Sequence, residues 1–297
     1  MTVIVPELYH AKDALEEHNI TCIAEEDAAR QDIRPLRIGI LNIMPNLRTY
    51  EFNLLYPLGK VILQIDPIWI KLDTHSYKSS TGNHMDSFYI SFEEAIKDAH
   101  LDGLILTGAP VEELGFEEIN YWNEITKILA YARENISSTL GICWGAMALA
   151  KVLGIPKTNL EKKIFGVFQT KNLNTHHPIT GDLDDYFNCP HSRHAGYSDE
   201  TWERARDRGE VNLLAHSLES GYSITESIDH RFLMHLGHPE YNSGRLVEEY
   251  HRDVKLGRPD VDRPVNFDVK SPINNWRSHR NEFFSQWIKY VYTHTDY

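Results

Sequence analysis

Between Ser138 and Leu149 the chain changes its hydrophobic period with no linker in between. Ser138-Thr139-Leu140-Gly141-Ile142 is a short apolar run, Cys143 follows within two flanking glycines, and Trp144-Gly145-Ala146-Met147-Ala148-Leu149 continues at once as an Ala/Leu-rich run. The pattern reads as β-strand, sharp turn and α-helix, which commits the segment to an α/β architecture. Gly141 and Gly145 permit a tight turn and a close approach of substrate to backbone. Unpaired N–H groups at a helix start favour a thiolate and hold an oxyanion. An isolated cysteine is usually a small buried hydrophobe; here the strand-turn-helix context makes Cys143 a candidate nucleophile.

Strand and helix patterns alternate upstream of this turn. Leu36 to Ile43 is a nearly continuous apolar run closed by Met44-Pro45-Asn46, the signature of a buried parallel strand. Thr49 to Leu58 reads as a helix ended by Gly59, and Val61 to Leu72 as a second strand region despite Pro67. Thr74 to Phe88 is polar and reads as a surface loop; Ser91-Phe92-Glu93-Glu94 has the form of a capping box opening a helix to Ala99. Asp102 to Pro110 is a strand running into a Gly/Pro turn, and Ile119, Trp122, Ile125, Leu129 and Ala132 mark an amphipathic helix. This order implies βαβ units, a parallel sheet and right-handed crossovers. Sites in such sheets lie at the carboxyl ends of strands, where both Thr107-Gly108-Ala109-Pro110 and Cys143 fall.

The flanks are less regular. Residues 1–34 are expected to form an N-terminal arm packing on the main domain or on a partner subunit, and residues 35–297 a single α/β domain. Shorter strands are expected at Ile164–Thr170, Val211–Ala215, Tyr222–Thr225 and Phe232–Leu236, with the polar stretch Asn188 to His194 in a loop. Asn242 can cap a helix running to about Lys255. Gly257 to Pro272 reads as a meandering connection, and Asn274 to Tyr292 as an aromatic-rich closing helix.

Composition removes several classes of function. Lys and Arg number 30 against 43 Asp and Glu, a net charge of −13, which disfavours nucleic acid and anionic membrane as partners. Three cysteines without a C-x-x-C pair argue against a disulfide framework and a thiolate zinc site, and fit a reducing cytoplasm. No apolar run reaches membrane-spanning length, and the first residues lack the basic and apolar regions of a signal peptide. No metal or resident cofactor is expected.

A thiol nucleophile needs a base, and the base an orienting group. With 16 histidines some pairing is inevitable, so position must discriminate. His238 follows an apolar strand at the same sheet edge as Cys143, and Glu240 lies two residues on. In an extended segment the two project to one side, with Pro239 stiffening the pair.

Gly-Ile-Cys-Trp-Gly with His-Pro-Glu downstream resembles the class I glutamine amidotransferase-like fold, a flavodoxin-like three-layer sandwich with a mostly parallel sheet. Glutaminases of that group usually carry Gly-x-Cys-x-Gly-x-Gln, and Met147 stands here in place of the Gln. The chain more closely resembles the homoserine O-acyltransferase family of methionine biosynthesis. The motifs are Asn42-Ile43-Met44-Pro45-Asn46, Thr107-Gly108-Ala109-Pro110, Cys143-Trp144, Pro190-His191-Ser192-Arg193, Gly237-His238-Pro239-Glu240-Tyr241 and Trp276-Arg277-Ser278-His279. The resemblance implies ping-pong acyl transfer from acyl-CoA to L-homoserine through a Cys143 thioester, with His238 as base and Glu240 as its partner. It also implies that Lys163, Ser192 and Arg252 line the amino-acid site, Arg252 suiting a fork to a carboxylate. Oxyanion donors are expected at the backbone N–H groups of Trp144 and of the turn near Val111.

Succinyl-transferring members continue this turn as Ala-Pro-x-Gly and acetyl-transferring ones as Ala-Pro-x-Glu; this chain has Glu112. A carboxylate there repels the distal carboxylate of a succinyl group, so acetyl-CoA is the expected donor. The alternatives are succinyl transfer, a glutaminase-type cysteine amidohydrolase, and an inactive amino-acid sensor. A homodimer is a family-based expectation.

Overall fold

The structure, a computed structural model, describes residues 2–77, 84–97 and 100–295. Its N-terminal segment forms β1 (Thr2–Ile4), α1 (Lys12–Glu17), β2 (Thr21–Ile23) and α2 (Glu25–Ala28). The βα units follow: β3 (Leu36–Leu41), α3 (Leu47–Leu58), β4 (Gln64–Lys71), α4 (His84–Phe88), β5 (Ile90–Ser91), α5 (Phe92–Lys97) and β6 (Gly103–Leu106). Next come α6 (Trp122–Asn135), β7 (Ser138–Ile142), α7 (Trp144–Val152), β8 (Thr158–Asn172) and β9 (Tyr186–Gly196). The chain closes with α8 (Asp199–Asp207), β10 (Val211–Ser217), β11 (Gly221–Ser227), β12 (Phe232–His235), α9 (Ser243–Lys255) and α10 (Arg277–Thr293).

One sheet runs through the described residues in the order β2-β1-β4-β3-β6-β7-β12-β11-β10-β8-β9. From β2 to β12 the neighbours are parallel; from β12 to β9 they are antiparallel. Helices cover both faces, which is why β3 and β6 read as nearly continuous apolar runs. Leu15 of α1, Leu54 and Leu58 of α3, and Phe284 and Trp287 of α10 pack on one face. Ala95 of α5, Ile125 and Leu129 of α6, Ala148 of α7 and Trp202 of α8 pack on the other. Pro67 sits in β4 beyond its two pairings with β1, where the strand is locally an edge and proline is tolerated. The N-terminal segment adds its two strands to this sheet through β4.

Two expectations need correction. Asn188 to His194 is not a loop: it lies within β9, registered so that Phe168 pairs with Cys189, Gly166 with His191 and Phe165 with Ser192. His191, Ser192, Arg193 and His194 are buried against protein partners. Arg193, for example, donates to the Ala195 carbonyl at 2.9 Å and the Ser220 carbonyl at 2.7 Å. Polarity signals a loop only when the polar groups need water. Thr74 to Phe88 is not all loop either, since His84–Phe88 is helical; its residues 78–83, and Ala99 of the expected capped helix, lie outside the described residues. Among the described residues no helix is long and apolar enough to cross a membrane.

Candidate active site

Cys143 stands between β7 and α7 with φ 52° and ψ −108°, a conformation that costs a non-glycine residue on the order of 1–3 kcal/mol. The two neighbouring glycines make the turn possible. A β-carbon on Gly141 would meet the Ala146 nitrogen at 2.6 Å, and one on Gly145 would meet the Leu106 carbonyl oxygen at 2.1 Å. The Cys143 N–H is held by the His235 carbonyl at 2.8 Å, tying the turn to β12. The thiol is thereby presented at the carboxyl edge of the parallel sheet, in front of a helix start.

His238 comes to the same edge from the end of β12. Its N–H donates to the Pro190 carbonyl at 2.7 Å, and its ring stacks on Tyr241 with centroids 4.0 Å apart. Nδ1 bonds Glu240 Oε1 at 2.8 Å, and the Cys143 sulfur is close enough for its charge to act on the ring. The sequence argument reached this pairing through extended geometry; the actual route is a turn. The Tyr241 N–H donates to the His238 carbonyl at 3.1 Å, with Pro239 at the position where proline pre-sets a turn. Burial favours the neutral ring, yet the Cys143 and Glu240 charges and the Glu240 hydrogen bond raise the His238 pKa well above the usual histidine value. All three side chains are almost fully buried. The arrangement can take a proton from the thiol and keep it on an oriented imidazole.

These groups open on a cavity of about 40 Å³, room for a few water-sized groups. Lys163, Ser192 and Arg252 all line it. Lys163 and Lys162 are separated by strand alternation: Lys163 Nζ reaches Asp253 at 2.6 Å with 1% side-chain exposure, whereas Lys162 pairs with Asp262 on the outside. Arg252 is the accessible cation, 44% exposed, held by Glu249 at 3.2 Å and Asp253 at 2.9 Å.

Sequence reasoning missed Glu249, the centre of this cluster. It is 4% exposed and accepts from Arg245 at 3.0 Å, Tyr241 at 3.3 Å and the Ser192 hydroxyl, with Lys163 at 3.7 Å. Burial pushes its pKa up, but Arg252, Lys163, Arg245 and His238 outweigh this and bring it to about 2. Arg245, Glu249, Arg252 and Asp253 share one face of α9, a spacing that in sequence looks like a solvated stripe.

Glu112 is half-buried and lines the cavity beside Cys143. The His194 N–H donates to its carboxylate at 3.4 Å, and Lys157 holds its carbonyl at 2.5 Å. The next residue, Glu113, is forked by Arg258 at 3.0 Å twice, which pins the turn to the 257–262 connection. Val111 departs from expectation: its N–H is engaged by the Ala109 carbonyl at 2.8 Å, so it is not open to an oxyanion in this conformation. Gly108 of this turn lies close to the chemistry: a β-carbon there would be 3.5 Å from His238 Cε1 and 3.7 Å from Cys143 Cβ. The Trp144 N–H lies in the first turn of α7, where helical N–H groups lack an intrahelical acceptor.

Among the described residues three other clusters have metal-ligand chemistry on paper: His10–Glu51–His84, His177–Glu226–His230 and Glu113–His194–Asp260. Each is occupied by protein groups. Glu51 accepts from Tyr9, Tyr89 and His84, and Arg258 bridges Glu113 and Asp260. His177 Nδ1 accepts from the Ile179 and Thr180 N–H groups, so its proton sits on Nε2, facing Glu226.

A parallel sheet flanked by helices, with a strained cysteine at one strand end and a His-Pro-Glu turn at the next, is the architecture of the class I glutamine amidotransferase-like fold. Solved structures that share it include a glutamine amidotransferase from Thermotoga maritima, with TM-score 0.55 and 12% identity, covering 87% of this chain and 99% of that one. Another, from Methylobacillus flagellatus, has TM-score 0.52 and 13% identity, covering 87% and 96%. Sequence similarity narrows the assignment. The profile described as homoserine O-succinyltransferase matches residues 2–297. Relatives named homoserine O-acetyltransferase are 42% identical in Petrotoga mobilis, across all of this chain and 97% of that protein, and 40% identical in Geobacillus kaustophilus strain HTA426, across all of this chain and 99% of that one. The chain belongs to this family of homoserine O-acyltransferases, and it is an acyltransferase.

Proposed function

We propose that the protein transfers the acetyl group of acetyl-CoA to the hydroxyl of L-homoserine, giving O-acetyl-L-homoserine and CoA. The observation that carries the reading is the series Cys143–His238–Glu240, its imidazole bonded to Glu240 at 2.8 Å, beside a cavity that also holds Arg252, Lys163 and Glu112. His238 takes the thiol proton, and the sulfur attacks the thioester carbonyl. The resulting oxyanion collapses to an acetyl-enzyme as CoA leaves with the proton from His238. The homoserine hydroxyl then gives its proton to His238 and its oxygen attacks the acetyl-enzyme, releasing the ester and restoring the thiol. Backbone N–H groups of Trp144 and Gly108 serve as oxyanion donors. Arg252 receives the amino-acid carboxylate, with Glu249 and Asp253 holding its guanidinium in place.

Acetyl rather than succinyl is favoured by Glu112, since a second carboxylate beside it in a half-buried cavity is costly at about 4 kcal/mol for 4 Å and an effective dielectric near 20. The names of the relatives point the same way, although the family profile carries the succinyl name. No resident cofactor enters the scheme. A place in methionine biosynthesis, a cytoplasmic setting and a homodimer belong to the same proposal. The test is intact-mass measurement after mixing with each thioester. Acetyl-CoA should add one acetyl group, absent in Cys143→Ala and removed by L-homoserine. Preferential labelling by succinyl-CoA would reverse the donor assignment, and labelling of the Cys143→Ala protein would remove the covalent route.

A further inference from the structure

The motif Trp276-Arg277-Ser278-His279 takes no part in the chemistry above, and Arg277 points to a second site. An open cleft of about 210 Å³ lies among α3, the start of α9 and the start of α10. None of its lining residues lines the Cys143 cavity. Arg277 and Arg280 both stand in its wall, and neither has a carboxylate within 4.0 Å among the described residues. Arg280 is only 4% exposed; it lies over the Tyr56 ring at 4.3 Å, and its Nε donates to Asn281 at 3.4 Å. Burial pulls this guanidinium down to about 10; Tyr56 opposes that, the adjacent Arg277 charge adds to it, and Glu240 opposes from longer range. Two cations held together with no carboxylate in ion-pair contact are unusual in a chain of net charge −13.

The asparagines of the cleft are set as donors. Asn242 Oδ1 caps α9 by accepting from the Arg245 N–H at 2.9 Å, which fixes its amide nitrogen towards Asn53 Oδ1 at 3.2 Å. Asn53 is therefore left with Nδ2, which is buried and has no acceptor. Asn274 likewise has its oxygen engaged by the Trp276 N–H at 3.3 Å. Helices α9 and α10, of 13 and 17 residues, both start at this cleft and carry no acidic residue in their first turns. Positive helix ends, two guanidiniums and the unpaired Asn53 amide donor converge, and among the described residues no carboxylate lies within 4.0 Å of either guanidinium.

We propose that this cleft binds a phosphate group. A phosphate dianion matches two guanidiniums in charge and accepts forked hydrogen bonds from both, whereas a carboxylate would leave one cation unbalanced. The phosphate has two conceivable sources, the nucleotide end of CoA itself or a separate phosphorylated metabolite. Only the first rests on the acyl-transfer reading.

The probe is inorganic phosphate, titrated into the full-length protein at constant ionic strength while thermal unfolding is followed. A saturable rise in Tm is expected. Arg277 is exposed, so Arg277→Gln should fold with an unchanged Tm in the absence of phosphate and raise the half-saturating phosphate concentration roughly tenfold or more. Repeating the wild-type titration with CoA or with pantetheine identifies the source. Displacement by CoA but not by pantetheine assigns the site to CoA, and displacement by neither assigns it to a separate metabolite. The absence of a saturable response in the wild-type protein, or identical responses from wild type and Arg277→Gln, overturns the proposal. Because the readout is binding, either result stands whatever group the enzyme transfers.

Discussion

Replacing Glu249 with Gln keeps the shape of the residue and removes the charge on which three cations converge. Its carboxylate, itself nearly dry, meets Arg245 at 3.0 Å, the more exposed Arg252 at 3.2 Å and Lys163 at 3.7 Å. Burial alone would push the pKa above 4.5, but these cations and His238 bring it to about 2. At about 1.4 kcal/mol per tenfold change in proton affinity, the ionised form stabilises the folded state by roughly 3 kcal/mol. The pKa is depressed on folding, so this contribution is complete above pH 4.5 and is lost as pH falls towards 2. Urea unfolding should therefore show Glu249→Gln less stable by roughly 3 kcal/mol at neutral pH, with the gap to wild type closing steadily in acid. Because Glu249 holds Arg252, the variant should also raise KM for homoserine far more than KM for the acyl donor. A stability gap well under about 1 kcal/mol at neutral pH, or one that does not change in acid, would refute the coupling inferred from these contacts.

Three further outcomes are expected. Glu112→Gly should raise kcat/KM for succinyl-CoA relative to acetyl-CoA by up to roughly 10³-fold, the equivalent of about 4 kcal/mol of relieved repulsion; an unchanged ratio would show that Glu112 does not face the acyl group. Glu240→Gln removes one of the charges that raise the His238 pKa, so the imidazolium should titrate at lower pH by NMR; a ring titrating at the wild-type pH would mean that the 2.8 Å contact carries no charge interaction. The same raised pKa means that the ion pair supports folding below the unfolded histidine pKa and that this support fades as pH climbs through the folded value. Gly145→Ala forces a β-carbon to 2.1 Å from a backbone oxygen, so calorimetry should find it destabilised by about 1–3 kcal/mol or more; wild-type stability would contradict the close approach of α7 to β6.

Signals contained in short windows were the ones legible before folding. Cys143 between Gly141 and Gly145 announced a strand-turn-helix because the change of hydrophobic period is local. His238 and Glu240 could be paired because they are two residues apart, even though a turn rather than an extended strand delivers them. Asn188 to His194 misled for the opposite reason: whether Ser192 and Arg193 need water depends on Glu249 and the Ser220 carbonyl, 57 and 27 residues away. Lys163 could not be separated from Lys162 until β8 assigned one to each side. Val111 looked like a free donor because nothing in the sequence says that its N–H closes back on Ala109.

What the amino-acid sequence determined alone is the layered α/β plan and the place of a thiol at one strand end, since both follow from periodicity and from glycines at fixed offsets. What only the tertiary structure decided is the electrostatic content of the site. Arg245, Glu249, Arg252 and Asp253 are a commonplace charged stripe on an isolated helix. Arg245, Glu249 and Asp253 become a buried ion cluster, with Arg252 at its rim, only when Lys163 and Ser192, 90 and 57 residues earlier than their partners Asp253 and Glu249, close over them. The energy of a charge depends on the water excluded around it, and that exclusion is set by residues far away in sequence.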